Sequence, residues 1–159
     1  MRSSLKLGLV LAVVSAVFAS SATAQTSGSI NATATVLSAL SVTGTDLAFG
    51  NIAPTQSKVV APASGGTFTV AGAASAPVSV AFTLPTTLGT NVNIGSWTGL
   101  SNTANNAGTA AALTVSGAGQ NLTIGGTGNL YVWVGATLTT AAATPGAYSA
   151  PVQLTVTYN

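Results

Sequence analysis

The sequence predicts an all-β protein built as an antiparallel β-sandwich, and three observations carry that reading. Apolar residues recur at every second position over short runs, the period of a strand with one buried face. Clusters of Gly, Pro, Asn and Ser separate the runs at spacings of about 8 to 15 residues, the punctuation of short antiparallel strands. No stretch beyond residue 24 carries the three-to-four-residue apolar spacing of an amphipathic helix.

The elements follow in order. Residues 1–24, "MRSSLKLGLVLAVVSAVFASSATA", read as a secretory signal peptide. Arg2 and Lys6 form the basic region, residues 7–19 are almost unbroken apolar, and Ala22-Thr23-Ala24 is a small-x-small cleavage pattern. The apolar run is shorter than the roughly 20 residues a spanning helix needs. A mature chain beginning at Gln25 would hold about 135 residues, enough for one domain that buries about two-thirds of its surface. Its expected route is the periplasm and then the cell surface or the exterior, with no further membrane helix.

Residues 25–35 read as an N-terminal extension or a first strand, and 36–159 as the sandwich domain. In "INATATVLSALSV" (30–42), Ile30, Ala32, Ala34, Val36, Leu40 and Val42 share one phase, broken at Ser38. "DLAFGNIAP" (46–54) puts Leu47 and Phe49 on one face before turns at Gly50 and Pro54. "SKVVAP" is a short segment, and "GTFTVAGA" (66–73) pairs Phe68 with Val70. "PVSVAFTLP" (77–85) aligns Val78, Val80, Phe82 and Leu84 between two prolines. Val92 and Ile94 share a phase, and "GLSNTANNAGT" reads as a polar loop. Leu113 with Val115, and Leu122 with Ile124, mark two further short strands. "GGTGN" (125–129) reads as a hairpin turn, because it lacks the lysine and helix of a phosphate loop. In "NLYVWVGATLTT", Leu130, Val132, Val134, Ala136 and Leu138 form a core face, with Tyr131 and Trp133 opposite. The last stretch, "GAYSAPVQLTVTYN", alternates through Tyr148, Ala150, Val152, Leu154, Val156 and Tyr158. The count is roughly nine or ten strands. An outer-membrane barrel is the competing architecture. It needs aromatic girdles along strands of about 10 residues, whereas this chain has two Trp, three Tyr and four Phe.

Composition narrows the chemistry. The chain carries three Lys and Arg, one acid and no His or Cys, and 3% of it is charged. Arg2 and Lys6 lie in the signal, leaving Asp46 and Lys58 as the charged side chains beyond it. No basic surface is available to neutralise phosphates, so nucleic acid is not an expected partner. Long-range repulsion between copies is nearly absent, which favours self-association. A nucleophilic serine needs a base within reach, paired-carboxylate hydrolysis needs two carboxylates, and a metal site needs several ligands. The expectation is a non-enzyme with no catalytic, cofactor-binding or metal-binding residues and no cofactor. Asp46 and Lys58 flank the turn after Phe49 as solvated residues or an exposed pair worth about 0–1 kcal/mol. Tyr131 and Trp133 are a candidate glycan or subunit contact, unless a loop or neighbouring strand covers them. Trp97 reads as core or loop packing.

Both ends of the chain resemble a known family. Gly146 is fourteenth from the end and Tyr158 next to last, in an alternating strand similar to the C-terminal signature of bacterial chaperone–usher pilins. Val36, Leu40, Leu47, Phe49, Gly50 and Pro54 resemble the opening of spore-coat-U-type pilins and of a related secreted domain family of unknown function. The resemblance implies an immunoglobulin-like, pilin- or adhesin-like sandwich that lacks one strand, completed by a donor strand from another chain. It implies a periplasmic chaperone, an outer-membrane usher and further copies or related subunits as partners. Gly146, Tyr148, Val152, Leu154, Val156 and Tyr158 would contact the chaperone or the exchanged strand, with Gly146 allowing the chain to turn or pack closely where the strand begins and Tyr158 anchoring the strand end. Ile30, Ala32 and Ala34 are the candidate donor residues. Two features depart from the family: this chain has no cysteine for an early-strand disulfide, and only about ten residues precede Val36. A self-complete sandwich therefore stands as the alternative fold, and a secreted glycan- or surface-binding module as the alternative function to a surface-fibre or extracellular-layer subunit.

Overall fold

The computed structural model describes residues 26–159, so the signal peptide expected over residues 1–24 and Gln25 lie outside the described residues. The chain divides between Ala34 and Thr35. Residues 26–34 are exposed and hold no regular secondary structure. No helix among the described residues is long and apolar enough to cross a membrane.

The unit Thr35–Asn159 contains ten strands and two single-turn 3₁₀ segments, Pro62–Ser64 and Ala107–Thr109. The strands are β1 (Ser41–Thr45), β2 (Ser57–Val60), β3 (Gly66–Ala71), β4 (Pro77–Thr83), β5 (Thr87–Gly89), β6 (Val92–Asn102), β7 (Ala111–Leu113), β8 (Gln120–Thr123), β9 (Asn129–Thr140) and β10 (Gln153–Tyr158). All pairings are antiparallel. The larger sheet runs β1-β3-β9-β6-β5, with β2 also on β9 and β7 also on β6. β2 and β3 lie end to end along β9, pairing with residues 136–139 and 129–134 respectively. The smaller sheet is β10-β4-β8.

Two apolar clusters hold the unit together. The first is shared by both sheets. Val70 of β3 and Leu130, Val132 and Val134 of β9 meet Val78, Val80 and Phe82 of β4, with Ile124 beside them. The second contains Phe49, Val92, Ile94, Ala136 and Leu138, packed by Leu47, Ile52, Leu88, Trp97 and Tyr148. Its members come from the larger sheet and the loops around residues 47–52 and 143–148, and the smaller sheet supplies none. The smaller sheet thus packs against the first cluster, and the loops around residues 47–52 and 143–148 pack against the second.

β9 forms as its alternation predicts. Leu130, Val132, Val134, Ala136 and Leu138 are between 0% and 4% exposed. Elsewhere the pattern misleads. The alternation at 30–42 does not make a strand, and β1 begins only at Ser41. Ile30 and Val36 are 96% and 94% exposed, and the alanines between them have little apolar surface with which to hold a strand down. Residues 46–54 form a loop that buries Phe49 and turns at Gly50, where φ is +62°. β6 runs through the expected polar loop as far as Asn102, past an irregularity between Gly95 and Thr98 where Ser96 takes φ +48°. "GGTGN" is a tight turn closed by the Gly125 N–H on the Asn129 carbonyl at 2.8 Å, but it joins β8 of one sheet to β9 of the other and is not a hairpin. The closing strand starts at Gln153, not at Tyr148.

Candidate docking groove

β10 and β4 are neighbours with opposite fates. Leu154, Val156 and Tyr158 of β10 pair with Phe82, Val80 and Val78 of β4. The β4 residues are 4%, 0% and 0% exposed, whereas all three on β10 are only half-buried. The cause is position in the sheet. β4 is flanked by β10 and β8, while among the described residues nothing pairs with the second edge of β10. β1 at the margin of the larger sheet likewise pairs on one side alone, and all five of its residues are exposed. An apolar strand with an open edge offers unpaired backbone groups and uncovered side chains together.

Tyr158 fixes one end of this edge. Its hydroxyl accepts from the Ala73 N–H at 2.6 Å and donates to the Ser38 carbonyl at 2.8 Å. The ring sits where Gly72 leaves room. A Cβ on Gly72 would lie 2.6 Å from the Tyr158 hydroxyl and 2.7 Å from Leu40. The sequence singles out Tyr158 but gives no sign of Ser38, Gly72 or Ala73 as its partners. Only the small-residue run "AGAAS" hints that something large packs there.

At the other end lies a hollow of about 1180 Å³. Gly44 to Ile52 forms one wall, Ala143 to Val152 the other, and Val92, Ile94 and Leu138 form the floor. Tyr148 anchors the second wall. Its ring packs on Gly89, where a Cβ would come within 2.6 Å, and its hydroxyl donates to the Thr144 carbonyl at 2.8 Å. Val152 lines the same hollow. Three of the six C-terminal residues singled out from the sequence, Gly146, Tyr148 and Val152, line this hollow, and Leu154, Val156 and Tyr158 follow along the open edge of β10. Gly146 lies at a bend in the chain ahead of the closing strand. It is exposed, and a Cβ there would meet nothing closer than the Tyr148 ring edge at 4.0 Å, so close packing does not explain a glycine.

The remaining candidates lie elsewhere. Ile30, Ala32 and Ala34 are exposed in the segment before Thr35. Tyr131 and Trp133 stack with centroids 6.1 Å apart and planes 25° apart. Trp133 is only 6% exposed, so it presents no open ring face to a ligand. The 3₁₀ turn Pro62–Ser64 packs on β9 and β6, Ala107–Thr109 packs on β6, and the two turns touch each other. Trp97 is half-buried against the second cluster. Asp46 and Lys58 are exposed, and the Lys58 ammonium donates to the Asn51 carbonyl at 3.5 Å. Among the described residues no group of His, Cys, Asp and Glu could hold a metal ion. No family model, curated protein or solved structure matches the chain.

Proposed function

We propose that this protein is a secreted structural subunit of a bacterial surface fibre or extracellular layer, assembled by β-strand pairing between copies or related subunits. One observation carries the reading: the inward side chains of β10 are half-exposed beside fully buried partners on β4. A strand added along β10 would cover Leu154, Val156 and Tyr158 and satisfy an open ladder edge. On this reading the fold is an immunoglobulin-like sandwich short of one strand. A periplasmic chaperone supplies that strand before assembly, an outer-membrane usher receives the subunit, and another subunit supplies the strand in the fibre.

The donor is the segment around Ile30, Ala32 and Ala34. Val36 extends the same phase and is 94% exposed, so four alternating apolar residues precede Leu40. Burying Ile30 or Val36 contributes about 1.5–3 kcal/mol each and an alanine less, so ladder hydrogen bonds supply much of the hold. The near absence of charge removes long-range repulsion between copies.

Deleting residues 26–34 tests this. The expected outcome is a folded domain, by circular dichroism, that forms no fibres in electron micrographs. Ile30→Asp is expected to act in the same direction, because a carboxylate entering an apolar groove is costly unless paired. Wild-type fibres from the deletion variant would remove this segment as the donor. An unfolded deletion variant would mean that the segment belongs to the domain's own core.

A further inference from the structure

We infer that residues 148–152 are an unpaired continuation of β10, and that they join the sheet only when a strand docks along the whole edge from Tyr148 to Tyr158. This rests on the strand-pairing reading above. The first observation is burial. From residue 148 to residue 159 every even-numbered residue is half-buried and every odd-numbered one exposed, without a break at Gln153, where pairing begins. The segment already shows the two-faced alternation of a strand and lacks only a partner.

The reason it lacks one is on the β4 side. Gln153 pairs with Thr83, the last residue of β4. Leu84 and Pro85 follow, and the chain then enters β5, which belongs to the larger sheet. No strand of the smaller sheet extends far enough to meet residues 148–152. Their other side borders the hollow facing Gly44 to Ile52.

Backbone direction identifies the docking edge. The Asn159 N–H donates to the Pro77 carbonyl, so odd-numbered residues of this strand point their backbone groups toward β4. Alternation then sends those of Leu154, Val156 and Tyr158, and by continuation of Tyr148, Ala150 and Val152, toward the open edge. Pro151, the one residue here without an N–H, is odd-numbered. Its missing donor falls on the side that has no partner to lose, and every donor on the open edge is present. The Tyr148 ring on Gly89 and its hydroxyl on Thr144 already hold the far end in place, which lowers the ordering cost of docking.

The test is amide hydrogen exchange on the full chain with and without an excess of a synthetic peptide of residues 28–37. The amides of Ala150 and Val152 are expected to slow by at least about tenfold together with those of Leu154 and Val156. Ala150→Pro, which removes an open-edge donor, is expected to weaken peptide binding by about fivefold. Ser149→Pro, which removes a donor on the other side, is expected to leave it within about twofold. Protection confined to 153–158, or equal effects of the two prolines, would overturn the inference and leave strand pairing standing. No protection anywhere from 148 to 158 would overturn both.

Discussion

β9 and β10 carry equally regular alternation, yet one is sealed and the other is not. The inward residues of β9 are between 0% and 4% exposed, and those of β10 are half-buried. β9 has neighbours along both edges, β3 and β2 on one and β6 on the other. β10 has β4 alone. The difference teaches that alternation specifies which side chains face inward, whereas the number of flanking strands decides how far they leave water. An apolar face on a one-sided strand is a surface with unused binding capacity.

Substitutions on paired positions can break or sharpen this contrast. The largest effect is expected from Phe82→Ala on β4, which should cost the domain about 3–5 kcal/mol in denaturant unfolding, through lost burial and the cavity left behind. Leu154→Ala, its partner on β10, should cost the isolated chain less than half as much, since that side chain is already partly in water. The same substitution should cost more once subunits are assembled. Equal losses in the isolated chain would show that the β10 face is sealed in solution.

A smaller effect is expected from Tyr158→Phe. It keeps the ring and removes the hydroxyl that bridges Ala73 and Ser38, leaving the Ala73 N–H without that acceptor. The expected loss is about 1–3 kcal/mol. Unchanged stability would mean that water replaces the hydroxyl and that residue 38 is not tied to the strand end.

Glycine substitutions give the finest comparison. Gly72→Ala should destabilise by about 1–3 kcal/mol, because the methyl group would collide with Tyr158, Leu40 and Ile124. Gly146→Ala should be neutral, or stabilising by up to about 1 kcal/mol, because the site is open and the unfolded chain loses freedom. Thermal melts of both variants check the pair. A Gly146 variant that melts normally but fails to assemble would assign that glycine a role in the docked state alone.

The sequence by itself determined most of the strand inventory. Alternation located β3, β4, β9 and the inward face of β10, because a two-residue period is a local property of an extended chain. It also limited the charge available: beyond residue 24 the charged side chains are Asp46 and Lys58. The tertiary structure decided what local pattern cannot encode. It left the alternating segment at 30–36 exposed, ran β6 into a stretch rich in turn formers, and made 46–54 a loop that buries Phe49. It brought Ser38, Gly72 and Ala73 to Tyr158 from 120, 86 and 85 positions away in the chain. It also ended β4 at Thr83, so that the neighbouring strand begins five residues later than its alternation predicts. Each of these outcomes depends on which other segment lies within hydrogen-bond reach, and that is a property of the folded sheets, not of any one strand.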